Sequence, residues 1–329
     1  MELFDEVASR YLAVRHAIPP IEWPVYAPDV AAILELKRMR RAAILAHNYQ
    51  DPVIFHGVAD VTGDSLAMAQ RAGSLDAEVL VVCGVTFMAD TVKLLSPRRT
   101  VLIPELAAGC SLAASITADD VRELKRKHPG VPVVCYVNTS AEVKAESTIC
   151  CTSANAVEVV RSLGAGRVIF LPDRYLADYV GSKLDVEIIP WNGTCEVHER
   201  FTGNDIRELR SLFPGVDVLA HPECNPEVLA EADYVGSTTG MIRRLRERPP
   251  DCAALITECA MSDNVAAEMP GIRFVRPCHF CPYMRKITLP SVRRALETLT
   301  YEVTVDVEVA AGANRALSRM LEVGRGTSS

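Results

Sequence analysis

Three segments of the chain share one layout, and this internal repetition limits the fold more than any other feature of the sequence. In each segment a short hydrophobic run ends at a polar tip, and a second polar tip follows 17 or 18 positions later. The first tips are His47, Tyr136 and His221, and the second tips are Ser65, Ser153 and Thr238. Strands that alternate with helices are typical of α/β proteins with parallel sheets. We therefore predict three homologous α/β repeats.

Nine hydrophobic runs have the composition of buried parallel strands, which read as continuous apolar segments. They span residues 42–46, 79–83, 101–103, 131–137, 168–171, 186–189, 216–220, 253–256 and 272–275. The repeats predict an N-terminal helical segment (1–27), three α/β domains (28–112, 113–196 and 197–285) and a C-terminal helix and strand (286–329) that pack back on the first repeat.

Eleven cysteines are many for a chain of 329 residues, and three of them recur with one period. Cys110, Cys195 and Cys281 each follow a hydrophobic run and a loop, at intervals of 85 and 86 residues. Structural zinc usually has four ligands, and so do most electron-transfer clusters. Three thiolates leave one metal position open, which suits an iron–sulfur cluster that acts as a Lewis acid.

Cys278 lies three residues before Cys281 and forms a CxxC sequence with it. Such a pair could be a redox couple, half of a zinc site or a coincidence. Cys278 has no counterpart in the other two repeats, whereas Cys281 has two. Oxidative pairing of Cys278 with Cys281, which would displace the cluster, stays open.

The polar tips predict an anion site, because ligands of α/β proteins bind outside the carboxyl ends of parallel strands. His47 and His221 are equivalent residues in two repeats and Tyr136 is their counterpart in the third. Hydroxyls and free backbone N–H groups at helix starts bind phosphate or carboxylate. The alternative is that the second tips only cap helices.

Bulk properties exclude several classes of protein. A net charge of −7 and a pI of about 5.6 argue against a nucleic-acid partner. No apolar run reaches the roughly 18–20 residues that a membrane span needs, and the acidic N-terminus lacks the order of a signal peptide. We expect a cytoplasmic protein. Nucleotide and serine-hydrolase motifs (GxGxxG, Walker A and GxSxG) are absent from the sequence.

Ten short motifs, in one order from about residue 40 to 290, resemble the quinolinate synthase family of NAD biosynthesis. They include His47-Asn48-Tyr49-Gln50, Gly63-Asp64-Ser65-Leu66, Ala108-Gly109-Cys110, Cys135-Tyr136-Val137-Asn138, Trp191-Asn192-Gly193-Thr194-Cys195, His221-Pro222-Glu223-Cys224 and Cys281-Pro282-Tyr283-Met284. The resemblance implies three αβα domains with pseudo-threefold symmetry around a central active site and one 4Fe–4S cluster on Cys110, Cys195 and Cys281.

The resemblance also implies a transferase reaction, in which iminoaspartate condenses with dihydroxyacetone phosphate to give quinolinate, phosphate and water. A functional link with L-aspartate oxidase is then expected. The implied substrate-binding residues are His47, Ser65, Tyr136, Val137, Asn138, Ser153, His221, Pro222, Glu223 and Thr238. The catalytic candidates are Tyr49, Glu223 and Tyr136, of which Tyr49 and Glu223 are the candidates for proton transfer.

Two other functions remain open at this stage. One is a different cluster-dependent hydro-lyase that acts on a small hydroxy acid. The other is a redox sensor or electron carrier, which would not need three sets of polar loop tips.

Overall fold

The computed structural model of the protein describes residues 3–323, which divide into two compact units. The first unit comprises residues 3–109, 251–253 and 258–304, and the second comprises residues 110–250, 254–257 and 305–323. Within residues 3–323, no helix combines the length and the apolar character that crossing a membrane requires.

Helices and strands alternate along most of the described chain. The helices are α1 (Leu3–Val14), α2 (Trp23–Arg40), α3 (Pro52–Phe55), α4 (Ser65–Ala72), α5 (Thr86–Leu95), α6 (Ala118–Lys127), α7 (Ala141–Ala145), α8 (Ala156–Ser162), α9 (Arg174–Gly181), α10 (Gly203–Leu212), α11 (Pro226–Glu231), α12 (Thr238–Glu247), α13 (Ala260–Glu268), α14 (Leu289–Thr298) and α15 (Val307–Val323). The strands are β1 (Ala42–His47), β2 (Val61–Gly63), β3 (Val79–Cys83), β4 (Thr100–Leu102), β5 (Val133–Tyr136), β6 (Ile149–Cys151), β7 (Arg167–Leu171), β8 (Glu187–Pro190), β9 (Asp217–Ala220), β10 (Tyr234–Val235), β11 (Cys252–Ile256) and β12 (Arg273–Val275).

The strands form three four-stranded parallel sheets with the same strand order. The orders are β2-β1-β3-β4, β6-β5-β7-β8 and β10-β9-β11-β12. In each sheet the first strand in sequence therefore lies between the second and the third. The predicted α/β class and the threefold repetition are confirmed. All nine predicted strands are present, and the three short strands β2, β6 and β10 are additional.

The central strands are buried, as is usual for parallel sheets that helices cover on both faces. Every residue of β3 and of β5 is buried. In the first unit, α14 packs against α2, and in the second unit α15 packs against α7 and β6. These helices cover the hydrophobic cores, and the polar residues lie at the ends of the strands.

The segments that follow Cys110, Cys195 and Cys281 have the same local structure in all three repeats. A 3-10 turn begins three residues after the cysteine, over Ala113–Ser115, His198–Arg200 and Met284–Lys286. Seven residues after the cysteine, a threonine forms a reciprocal capping box and starts helix α6, α10 or α14. The three threonines are Thr117, Thr202 and Thr288. The repetition thus extends from the sheets to the cysteine loops.

Candidate functional site

The first polar tips occupy the same place in the three sheets. His47 is the last residue of β1, Tyr136 is the last residue of β5, and His221 directly follows β9. All three side chains are buried. Because burial of a polar group is costly unless it is hydrogen-bonded, their partners indicate what each group can do.

The two histidines are held in the same orientation. His47 Nδ1 lies 3.2 Å from the backbone N of Tyr49, and His221 Nδ1 lies 3.4 Å from the backbone N of Glu223. A ring nitrogen that accepts a hydrogen bond carries no proton, so Nε2 carries it in the neutral ring. His221 Nε2 lies 3.2 Å from Ser153 Oγ. Each histidine can therefore present an Nε2–H donor.

Glu223 is the centre of a buried polar cluster in the second unit. Its Oε2 lies 2.7 Å from His198 Nδ1 and 3.5 Å from His221 Nδ1, and its Oε1 accepts a hydrogen bond of 3.4 Å from Asn138 Nδ2. Burial on its own would raise the pKa of Glu223. The charges of His221 and His198 and the hydrogen bonds from His198 and Tyr136 outweigh that effect and lower the pKa to about 2. Glu223 is therefore an ionised carboxylate at neutral pH.

His198 is a site residue that the sequence analysis missed. It is almost fully buried, its ring stacks on that of His221 with the centroids 4.6 Å apart, and its Nε2 lies 2.9 Å from Thr257 Oγ1. His198, Cys195 and Glu223 place their donor atoms within 4.8 Å of one another. The sequence signal was its position three residues after Cys195, in the repeated turn, where the other repeats have Ala113 and Met284.

The second polar tips are at helix starts but do not cap the helices. The capping side chains are those of Asp64 for α4 and Ser237 for α12. Ser65 and Thr238 are the first residues of those helices, and Ser153 precedes α8 and contacts His221. The alternative that the second tips only cap helices is therefore wrong for Ser65 and Thr238, because Asp64 and Ser237 provide the side-chain caps of those two helices.

The flanking residues of the tips have supporting positions. Val137 is buried, and its backbone N–H donates to Cys151 O at 2.9 Å, which continues the pairing of β5 with β6. Pro222 lies between His221 and Glu223 and is also buried. These residues shape the loops that carry the polar groups.

The first unit carries His47, Tyr49, Ser65 and Cys281. The rings of His47 and Tyr49 meet edge to face with centroids 4.6 Å apart. Their loop is fixed by Asn264 of α13, whose Nδ2 donates to the backbone oxygens of Asn48 and Gln50 at 3.1 and 2.8 Å. Tyr49 therefore belongs to a rigid tip.

Cys110, Cys195 and Cys281 are half-buried, and none of them forms a disulfide. The carbonyl of each accepts a hydrogen bond from the backbone N–H four residues later, at 3.0 Å for Cys110, 2.9 Å for Cys195 and 3.2 Å for Cys281. In the second unit, burial raises the pKa of Cys195, and the charges of Glu223 and Cys110 raise it further. A metal centre relieves both effects, since a metal-bound thiol is deprotonated. Cysteine thiolates are the usual ligands of iron–sulfur clusters.

Cys278 forms a disulfide with Cys259, with the two Cα atoms 4.9 Å apart. The pairing of Cys278 with Cys281 that the CxxC sequence left open is therefore not formed. The physical reason is that Cys259 lies at the start of α13, where its backbone N–H donates to His279 O at 3.2 Å, next to Cys278.

Comparison with known proteins gives one consistent family. The model of the family described as "Quinolinate synthetase A protein" matches residues 31–322. A protein named quinolinate synthase 1 from Mesorhizobium japonicum is 61% identical over 96% of this chain and 98% of its own length. The quinolinate synthase of Agrobacterium fabrum is 58% identical over 96% of this chain and 92% of its own, and that of Xylella fastidiosa strain 9a5c is 56% identical over 90% and 87%.

Proposed function

The chain belongs to the quinolinate synthetase A protein family, and on that basis we propose that it condenses iminoaspartate with dihydroxyacetone phosphate to form quinolinate, phosphate and water. The reaction would be a transferase step of de novo NAD biosynthesis in the cytoplasm, with L-aspartate oxidase as the functional partner that supplies iminoaspartate. The observation that carries this proposal is the buried Glu223 cluster, a set of proton donors and acceptors larger than a structural role requires.

Substrate binding is assigned to the polar tips because both substrates are anions. In the second unit, the Nε2–H of His221 and the hydroxyl of Ser153 are 3.2 Å apart, and Thr238 opens α12, where backbone N–H groups favour negative charge. Asn138 offers an amide donor beside them. In the first unit we assign the same role to His47 and Ser65. Neutral and dipolar donors of this kind bind carboxylate and phosphate without a basic surface.

Proton transfer is assigned to Tyr49 and to Glu223 acting with its histidines. A carboxylate with a pKa of about 2 is a weak base. Its contact with His221 and His198 lets it stabilise either ring in the protonated form, as a carboxylate does for the histidine of a catalytic triad. His221, when protonated on both ring nitrogens, would then donate its Nε2 proton to the reacting group and take it back, while Glu223 remains ionised. Tyr136, which hydrogen-bonds to Glu223, would orient the reacting group.

We propose that Cys110, Cys195 and Cys281 hold one 4Fe–4S cluster. When bound, such a cluster supplies a Lewis-acidic iron with an open position, which assists the removal of water. Support comes from a half-buried cysteine outside any disulfide and from the same following turn in each repeat. The residues around Cys195 complement this chemistry, because His198 and Glu223 bring hydrogen-bonding groups within 4.8 Å of its sulfur.

An anaerobic assay tests the activity directly. Purified, cluster-loaded protein should form quinolinate from iminoaspartate and dihydroxyacetone phosphate. Absence of product with a fully loaded cluster would refute the proposal, and water loss from small hydroxy acids would indicate a hydro-lyase instead.

Single alanine variants test the ligand set separately. Replacing Cys110, Cys195 or Cys281 should remove the brown colour and most of the bound iron. The matched controls are Cys83, Cys135 and Cys224, which are buried in the cores, and their alanine variants should keep the iron. Full iron retention after replacement of one proposed ligand would remove it from the set.

A further inference from the structure

The residue two positions after the third strand of each sheet lies beside a cysteine loop. These residues are Val85, Asp173 and Glu258. In each repeat the next backbone N–H donates to the carbonyl two residues before the cysteine. The bonds are Thr86 N to Ala108 O (2.8 Å), Arg174 N to Gly193 O (2.9 Å) and Cys259 N to His279 O (3.2 Å). The three positions are therefore equivalent, but only two of them carry a carboxyl group.

Glu258 joins two backbone segments through its carboxyl group. Its side chain is buried, its Oε2 accepts the N–H of Ala260 at 2.7 Å, and its Oε1 accepts the N–H of Cys281 at 3.3 Å. Ala260 begins α13, and Cys281 is the proposed ligand. Asp173 is equally buried and has comparable contacts, because it accepts a hydrogen bond of 2.6 Å from Leu176 N of its own helix and also interacts with the backbone of Cys195.

Two other links join the same segments but stop short of Cys281. The disulfide between Cys259 and Cys278 holds the beginning of the loop, and the backbone bond of Cys259 holds His279. The carboxyl group of Glu258 is the link that reaches the amide of Cys281 itself. A backbone N–H that is buried without an acceptor is costly, so this contact also fixes the direction of the chain at Cys281.

We infer that Glu258 is a positioning residue that fixes the backbone of Cys281 for metal binding, and that the neighbouring disulfide does not perform this role. The inference rests on the proposed cluster. Glutamine has one acceptor oxygen, and its NH2 group would face one of the two amides. Because the bond to Ala260 is the shorter one (2.7 Å against 3.3 Å), the glutamine oxygen should stay there and the bond to Cys281 should be lost. That loss corresponds to about a tenfold increase in local opening.

The test compares full-length protein carrying Glu258→Gln with the wild type under anaerobic conditions. Two controls are Glu268→Gln, an exposed acid at the end of the same helix, and Cys278→Ser, which removes the disulfide. Amide hydrogen exchange at Cys281 should be about tenfold faster in E258Q and unchanged in E268Q and C278S. Iron release to a chelator from reconstituted protein should rise in E258Q in the same proportion.

The exchange of β11 amides reports whether the variant is folded, because that strand ends two residues before Glu258. If E258Q loses β11 protection, Glu258→Asp provides the second variant, whose shorter side chain cannot span both amides. Unchanged exchange at Cys281 in a folded variant would overturn the inference, and so would equal acceleration in C278S. If the wild type binds no iron, the cluster proposal fails, while the exchange of Cys281 still decides whether Glu258 holds its backbone.

Discussion

Gly193 is the position at which the cysteine loops are most sensitive to one added methyl group. A Cβ atom there would lie 2.8 Å from the backbone oxygen of Pro172 and 2.5 Å from Ser115 Oγ. Favourable contacts between heavy atoms begin at about 3.5 Å, so the loop or Pro172 must move by about 0.7 Å. Ser115 can rotate, but Pro172 O accepts the N–H of Gly193 at 3.2 Å. The displacement therefore falls on the loop that carries Cys195.

Gly193→Ala should lower the free energy of unfolding by about 1–3 kcal/mol, the usual cost of overpacking, and should reduce iron per chain. Gly109→Ala is the matched control, because a Cβ at Gly109 meets only Tyr283, with the nearest atom at an ordinary 3.8 Å. Its unfolding free energy should change by less than about 0.5 kcal/mol. Urea unfolding and iron analysis measure both effects. Equal damage in the two variants, or a fully stable and iron-loaded G193A, would refute the steric argument.

Two further predictions concern charge and catalysis. Arg122 and Lys125 lie 2.8 and 2.9 Å from Glu146 and lower its pKa below the ordinary 4.5, although burial opposes them. The resulting stabilisation exists above pH 4.5 and is lost as the pH falls through the lowered pKa. Glu146→Gln should therefore lower the free energy of unfolding by about 0.5–1 kcal/mol at pH 7 and leave it unchanged in strong acid. Tyr136→Phe and Glu223→Gln should abolish quinolinate formation by at least about a hundredfold while iron content and cluster absorption stay normal. An electron carrier would tolerate both substitutions, so full activity would contradict the site assignment.

Much of the fold could be predicted because buried parallel strands leave a strong signal. Continuous apolar runs indicated nine strands, and a repeated spacing indicated three equivalent sheets. The strands β4 and β12, which have three residues each, were predicted, but β2, β6 and β10, which have only two or three residues each, were missed. They are edge strands that pair because the first strand of each sheet offers them a partner.

The site could be predicted where the repeats agree and was missed where they differ. The cysteines and the tip residues recur in equivalent places, so their spacing predicted that they occupy corresponding loops. His198 has no polar counterpart in the other repeats, and a lone histidine carries no signal of its own. The Cys259–Cys278 disulfide was missed because the CxxC sequence suggested Cys281 as the partner of Cys278. The disulfide instead joins residues that are 19 positions apart in the sequence.

The differences between the repeats also explain how one scaffold supports several roles. The backbone after each cysteine is the same in all three copies, so a side chain at a given position projects from the same local structure. At the third residue after the cysteine, alanine and methionine fill space, whereas His198 reaches Glu223. At the end of the third strand, Val85 is apolar, whereas Glu258 binds the amide of Cys281. Repetition therefore supplies the frame, and single substitutions within it supply a buried histidine–carboxylate contact and a carboxylate that accepts a hydrogen bond from a loop amide.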